Sequence, residues 1–487
     1  MTPHYQGIAG GEHTLYKSKD GSLQSTGACG LGWCRLQSLN PTLFKFRPVQ
    51  IPEPISLVHA SYYHNLAVGK KSGSLYSWGC GTFVEGALDG VIPALAQGRH
   101  AQDIGAMPEV VNLNLEKTKM KILAVTGGAY HSAILLSTGR ILTFGAGQLG
   151  QLGRPIPGTE AGAAERESDF ESGDASGLPV DPIPAMAEIP KYFDQLKATT
   201  GTQAQEPLIK KIGAGFYNTF AICQRGKLFC TGENQNQQCG IGSAGNHTST
   251  HHDEYEHRKN ILSLTQVIEV DDQVVDQVDG GYCHTLVKAI SGKVFSLGCG
   301  DDGQRGDGRK EEDYDDDDNN EVISNVPTYR RPIVTPVHLP GEVFAKEIAA
   351  GANHSVILGS DGNAYSFGAN DVGQCGVYSD DPLPAIVGDD DDDDDDEGLP
   401  PTTVLAPKKV DLPEKAGKVI HVSAGYAHTI LTTDSGNIFA FGQGDNGQLG
   451  IGFGGGRIEN DEEGVGDIEA QRSPVEVNVS SDDNNML

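Results

Sequence analysis

In a chain of 487 residues, a formal charge of −30 argues by its overall sign against unassisted binding to DNA or an anionic membrane, which needs clustered Lys/Arg; neither direct DNA binding nor a membrane partner is expected, although a total leaves a basic patch on one face open. Its 37% hydrophobic residues and 64 glycines together make an ordinary globular composition with enough apolar material for a substantial core. No apolar run approaches the roughly 20 residues of a membrane span, and residues 1–5 open no signal-peptide pattern, so an intracellular protein, cytoplasmic or nuclear and not secreted, is expected.

Much of the charge is local. Two runs, 311–321 and 389–397, hold 17 acids between them. Like charges at that density repel one another and are usually solvated and unstructured. The nine cysteines are an odd number with no C-x-x-C spacing. Cys34, Cys239 and Cys375 stand where Leu152 and Leu449 stand in related segments, and Cys80 and Cys299 each follow a Trp/Leu-Gly pair. Cysteine in place of leucine reads as a small buried hydrophobe, which suggests a reducing compartment rather than a disulfide framework.

In chain order, one pattern returns seven times: glycine, two residues, histidine, a hairpin, then Phe/Trp-Gly or its equivalent. Its histidines are His13, His64, His131, His284, His354 and His428, with Asn218 in the fourth copy. The steps between them are 51, 67, 87, 66, 70 and 74 residues, as expected of a repeat array with insertions. The hairpin glycines Gly145, Gly298, Gly368 and Gly442 follow the second strand, and Gly153, Gly376 and Gly450 close a glycine-rich corner. The clearest copy, 422–450, has strand-like runs at 429–432 and 437–441 joined by Asp434-Ser435-Gly436.

A hairpin alone is marginal in water, so the copies must pack on one another. After each corner comes a variable segment that often ends in Pro and Val, as at 51–55, 335–339 and 473–477. Three or four short strands per unit, seven times over, predict an all-β, seven-bladed β-propeller forming a single domain. A β-solenoid has much shorter repeats. The units run over about 8–57, 58–121, 122–211, 212–277, 278–347, 348–418 and 419–479. The chain enters almost at once into a hairpin and ends in a Pro-Val strand at 474–479. Pairing of the N- and C-terminal strands in one blade is therefore expected to close the ring.

Segments 154–207, 301–325, 378–406 and 454–471 read as flexible, partly acidic insertions, and 83–120 as a further one without strong bias. All begin after a glycine corner, so they should emerge on one face, where inserted loops on a rigid scaffold commonly bind partners.

The histidines recur one per blade and so cannot converge on one catalytic or metal site. They read as structural hydrogen-bonding groups, a role Asn218 can share. The loop 251–257, His-His-Asp-Glu-Tyr-Glu-His, lacks the helical spacing of strong metal ligands, and the poly-Asp run lacks a calcium-loop pattern. No phosphate-binding Gly-x-x-x-x-Gly-Lys-Ser/Thr and no serine nucleophile elbow occurs. Neither a catalytic residue nor a cofactor is called for.

Gly-x-x-His-Ser/Thr, a hairpin, Phe/Trp-Gly and Gly-Gln-Leu-Gly together resemble the regulator-of-chromosome-condensation repeat family. The match is strongest at 128–153, 351–376 and 425–450, clear at 281–306, and weakest in the second unit, where Val84-Glu85-Gly86 replaces the corner. The resemblance implies a seven-bladed propeller. It leaves two functions open: a non-enzymatic scaffold binding a protein partner through loops on one face, and a guanine nucleotide exchange factor for a small GTPase, as the family's namesake is for Ran. The acidic loops would favour a basic partner, and a monomer is expected. The family's ultraviolet-B photoreceptor role depends on a tryptophan cluster, whereas this chain has only Trp33 and Trp78. Its ligase, kinase and BTB fusions need further domains, for which 487 residues leave no room beside seven blades.

Overall fold

In the computed structural model, seven four-stranded antiparallel sheets stand around one central channel. The structure describes residues 5–28, 42–79, 108–113, 120–155, 180–187, 208–241, 260–267, 270, 272–309, 334–377, 403–451, 470–477 and 479. The blades span 5–48, 55–111, 122–186, 209–266, 275–337, 345–409 and 419–477, each built from four consecutive strands.

Position within a blade explains the sequence of each strand. The innermost strand lines the channel. The second, such as His354–Gly359 or His428–Thr433, is buried along its whole length because a neighbouring blade covers each of its faces. It therefore reads as an unbroken run of apolar and small residues rather than an alternation. Between every two blades lies a separate core: Leu66, Leu75, Ile134 and Phe144 join the second to the third, and Ile357, Phe367, Leu286 and Val294 join the sixth to the fifth.

The fourth strand has one partner only, so it tolerates proline, which cannot donate to a ladder. Pro48, Pro182, Pro184, Pro336, Pro407 and Pro474 all sit in outermost strands. This corrects the reading of the insertions. Strand Val180–Met186 lies inside 154–207, Glu109–Val111 inside 83–120, Thr403–Lys409 begins inside 378–406, and Ala470–Val477 begins inside 454–471. Residues 301–308 are an ordered corner, and the Pro segment 51–54 links two blades rather than forming a strand. The acidic runs at 311–321 and 389–397, the loop 251–257, Val84-Glu85-Gly86, Trp33, Cys34 and Cys80 lie outside the described residues.

The ring closes differently from expectation. Tyr5–Ala9 is itself an inner strand paired with His13–Ser18, and Ala470–Val477 is the outer strand of its own blade, so the two ends share no sheet. Five residues ahead of the first tip already complete the first blade, leaving no vacancy for the C-terminal strand. Closure is by face-to-face packing of Tyr5, Ala9 and Tyr16 on Ile430, Ile438, Ala440, Leu449 and Val477.

Among the described residues, the disulfides Cys230–Cys239 and Cys283–Cys299 run against the expectation of no disulfide framework and correct the reading of Cys239 as a plain leucine substitute, while Cys223 and Cys375 are free and buried. In the fourth blade Cys230 occupies the third-strand position held elsewhere by Thr143 or Ser366, directly over the corner that carries Cys239. Cys283 and Cys299 are brought together by the backbone bond from Cys299 N to Cys283 O at 3.0 Å.

Candidate functional site

Because strands alternate in direction, each face of the ring collects a fixed set of connections. One face, here the corner face, carries the tips between first and second strands and the connections from third to fourth. The hairpin face carries the turns between second and third strands and the links between blades. The third strands that precede four of the predicted insertions, Leu75–Gly79, Val294–Gly298, Ala364–Ala369 and Ile438–Gln443, end on the corner face. Segment 154–207 is divided by the outer strand Val180–Met186, which starts on the corner face and ends on the hairpin face; 156–179 and 188–207 lie outside the described residues.

At each tip the first residue donates its N–H to the carbonyl of the repeat histidine or asparagine, as from Gly351 to His354 at 2.8 Å and Gly215 to Asn218 at 3.0 Å. The next residue reaches the neighbouring tip. Ala129 N donates to Phe216 O, Phe216 N to Gly281 O, Tyr282 N to Ala352 O, Ala352 N to Tyr426 O, and Tyr426 N to Gly11 O, all within 3.3 Å. With Gly11 N donating to Ser61 O at 3.2 Å, backbone bonds thus join six of the seven pairs of neighbouring tips, which carry no regular structure of their own.

The histidines seal the blades beneath. His13 Nε2 meets Asn65 Oδ1 at 2.7 Å, His64 meets Ser132 at 2.7 Å, His284 meets Ser355 at 3.0 Å, His354 meets Thr429 at 2.9 Å and His428 meets Thr14 at 3.0 Å, each on the next blade. His131 is buried against the backbone of Asn218. Asn218 bonds Glu233 O within its own blade at 2.6 Å. Burial holds His13 and His131 down at about 4 and His284, His354 and His428 at about 3, so all are neutral at physiological pH. Gly145, Gly298, Gly368 and Gly442 lie over these residues with positive φ; a Cβ on Gly368 would come within 2.6 Å of the His354 Cα. Gly153, Gly376 and Gly450 end the corners, where a Cβ on Gly376 would meet the Phe441 ring at 2.6 Å. None of these positions converges on a common point, and among the described residues no three His, Cys, Asp or Glu side chains group as metal ligands.

What does converge is aromatic. The two variable positions inside Gly-x-x-His, which reads Ser-x-x-His in the second copy and Gly-x-x-Asn in the fourth, carry Tyr62, Tyr63, Tyr130, Phe216, Tyr217, Tyr282 and Tyr426. Phe216, only 4% exposed, sits at the centre, with ring centroids 4.4 Å from Tyr62, 4.9 Å from Tyr282 and 6.0 Å from Tyr130. Tyr63, Tyr130 and Tyr217 stack in a row at 5.2 and 5.9 Å. Tyr282 and Tyr426, 46% and 47% exposed, present the cluster to solvent. Rings from five blades thereby cover the corner-face end of the channel. Below them is a cavity of about 310 Å³ lined by all seven inner strands. Its polar groups are engaged in stitching blades: Asp279 accepts from Ala350 N at 2.9 Å, and Glu347 holds His421 at 2.8 Å and Val422 N at 3.2 Å.

Acids rim the aromatic mouth: Glu12, Glu233, Asp301, Asp302, Asp371 and Asp445 stand on tips and corners of the same face. They sense one another. Burial, then Asp301 and Asp371, raises Asp302, and burial, then Asp445, raises Glu12. Arg154 and Arg305 on this face are buried, Arg305 beside Asp307, and Arg309 and Arg472 lie further out. The repeat pattern found the histidines because they recur; the aromatics were missed because they occupy the positions that vary. Their signal was present as Tyr-Tyr, Ala-Tyr, Phe-Tyr, Tyr-Cys and Tyr-Ala in five of the seven tips.

The model of the RCC1-like domain matches residues 4–388, and RCC1 repeat models match 361–432 and 419–448. The chain belongs to the RCC1-like family. Among its relatives, the ultraviolet-B receptor UVR8 of Arabidopsis thaliana is 26% identical over 68% of this chain and 79% of its own length. Protein pim1 of Schizosaccharomyces pombe is 27% identical over 56% of this chain and 42% of its own. Human HERC6, a probable E3 ubiquitin-protein ligase, is 25% identical over 68% of this chain, which spans only 24% of that protein. Yeast RCC1 (Prp20), solved bound to Kap60, superposes with a TM-score of 0.61 at 18% identity, covering 98% of this RCC1-like chain and 85% of its own. Human WBSCR16 does so at 0.60 and 16%, covering 93% and 91%. These superpositions concern the fold.

Proposed function

We propose that this RCC1-like ring is a non-enzymatic scaffold that holds a protein partner on its corner face, with the aromatic mouth as the anchor. The supporting observation is the joining of half-exposed tyrosines to tips that backbone bonds tie to their neighbours. Such rings offer large contact area with little conformational entropy to lose, which is the character of binding hot spots. The acidic rim favours a partner with a basic contact surface and steers its approach. Crosslinking mass spectrometry on complexes captured from cells tests the reading, with Tyr282→Ala/Tyr426→Ala as control. Crosslinks at the tips, and loss of the partner in the variant, support it. A partner retained by the variant and crosslinked elsewhere refutes it.

A second reading, guanine nucleotide exchange on a Ran-like or other small GTPase, draws support from the family's namesake and from the likeness to yeast Prp20, a structure described together with its binding to Gsp1p and histones. Exchange needs no acid or base, only tighter binding of the nucleotide-free GTPase. Nucleotide release from a panel of small GTPases, with catalytic amounts of this protein, separates the two. Acceleration of one member by orders of magnitude establishes exchange, and no acceleration leaves the scaffold.

A further inference from the structure

The hairpin face differs in chemistry from the corner face. Among the described residues, six of the ten exposed large apolar side chains project from it: Leu123, Leu208, Val274, Ile290, Phe344 and Ile420. Ile290, at the turn of the fifth blade, is 72% exposed, and Phe344 is 53% exposed.

These residues occupy equivalent positions. Leu208, Val274 and Phe344 each immediately precede an inner strand. Each lies over the turn glycine of the preceding blade, Gly139, Gly226 and Gly292, with the following residue bonded to that glycine's carbonyl at 3.1, 2.8 and 2.9 Å. Ile290 N bonds Val274 O at 2.8 Å, so these two protrude side by side. Leu123 and Ile420 are the second residues of their inner strands, at bulges that turn them out of the ladder. A rigid scaffold therefore presents them; none lies in a loose loop.

Cations surround them. Among the described residues of the third to sixth blades this face carries Lys121, Arg140, Lys210, Lys211, Arg225, Lys227, Lys293 and Lys346, with Lys288 buried beneath, against Asp272, Asp276, Glu342 and Asp361. Asp276 is already engaged, at 2.7 Å from both Lys211 and Lys288. The chain's overall charge of −30 conceals this polarity. The acidic rim stands at one end of the channel and the basic, apolar-tipped arc at the other.

We propose that the hairpin face of blades three to six docks on an anionic lipid surface, with Leu208, Val274, Ile290 and Phe344 entering the interfacial layer and the surrounding cations facing phosphate and carboxylate headgroups. Protruding aliphatic and phenyl tips among exposed lysines and an arginine match that environment, which rewards apolar insertion and positive charge together. A nucleic acid would use the charge but gain nothing from Ile290 or Val274, whose side chains can neither stack on bases nor bond phosphate. The face lies opposite the aromatic mouth, so docking would leave the proposed partner surface directed away from the bilayer.

The test is cosedimentation of the full chain with vesicles of phosphatidylcholine alone and with about a third phosphatidylserine. Two variants accompany it: Ile290→Ser/Phe344→Ser and Lys210→Glu/Arg225→Glu/Lys293→Glu. All five residues are at least partly exposed, and an unchanged melting temperature confirms folding. Binding to the anionic vesicles, weakened about tenfold by the first variant and about a hundredfold by the second, is the expected result. Three results overturn the proposal: no binding to anionic vesicles, equal binding to neutral ones, or binding indifferent to the loss of the apolar tips. The last would mark a surface for another polyanion, to be checked by titration with duplex DNA and with an acidic polypeptide.

Discussion

His428 Nε2 lies 3.0 Å from Thr14 Oγ1 across the seam where the last blade meets the first, and Thr14 donates its hydroxyl hydrogen to Gln448 O at 2.7 Å. With that hydrogen committed, Thr14 can only accept from the ring, which fixes His428 as the neutral Nε2–H tautomer. The same relay passes from His354 through Thr429 to Gln374 O, and from His284 through Ser355 to Gln304 O. Repeated glutamine and histidine positions are thus halves of one device. The histidine of one blade and the corner of that same blade hold a hydroxyl of the next.

Removing either member should be costly and the two should couple. His428→Ala and Thr14→Val are each expected to lower stability by about 1–3 kcal/mol, because each leaves a buried polar partner unsatisfied. The double variant should cost less than the sum. Urea titrations of the wild type, both single variants and the double variant would measure the coupling; strict additivity would count against the relay.

Acid should loosen the ring well above the pH at which these histidines take up protons. Their folded pKa values, near 3–4, lie below the value of about 6.5 in an unfolded chain. Above that pH both states are neutral and the full stability is present. As pH falls, the unfolded chain binds protons that the folded ring refuses, so stability declines. Each such histidine contributes a loss of up to about 2 kcal/mol by pH 5. Asp279, raised to about 7 by burial, acts in the opposite direction but is a single group. Melting temperatures should therefore drop steeply between pH 6.5 and 5, and less so in His354→Gln. A flat profile would contradict the neutral, buried assignment.

The aromatic mouth separates stability from binding. Phe216→Ala removes the central ring of a packed cluster and should cost about 3–5 kcal/mol. Tyr282→Ala and Tyr426→Ala remove half-exposed rings and should stay within about 0.5 kcal/mol of the wild type while weakening the corner-face complex at least about tenfold. Calorimetric melting alongside a binding titration reads both quantities.

Under oxidising conditions a non-reduced peptide map should join the segments holding Cys230 and Cys239. Cys239→Leu restores the residue found at Leu152 and Leu449, so the core remains filled and only the cross-link is lost. The loss should amount to about 2–3 kcal/mol in oxidising buffer and should vanish when both proteins are reduced.

The blade count was legible in the sequence because the geometry repeats at every seam. Gly368 must sit against the His354 backbone, Gly376 against Phe441, and the second strand must be apolar throughout, so each copy bears the same marks. The outer strands were hidden, since one partner and a solvent face impose little on them: Val-Asp-Pro-Ile-Pro-Ala-Met at 180–186 reads as loop. Tyr62, Phe216 and Tyr282 escaped for a different reason. They are distant in sequence and meet only because the ring brings its tips to one mouth. Cys230 and Cys239 could have been paired only by knowing that the third strand passes over the corner.

Because every blade is a continuous stretch of chain and no strand is lent across the closing seam, nothing in the architecture marks where the polypeptide must start. Each blade can finish as it leaves the ribosome, and the final event is the meeting of two preformed walls, Tyr5 and Tyr16 against Ile430 and Ile438. A circular permutant cut between the first and second blades, with the native termini joined by a linker, should build the same ring and merely move the last seam to close.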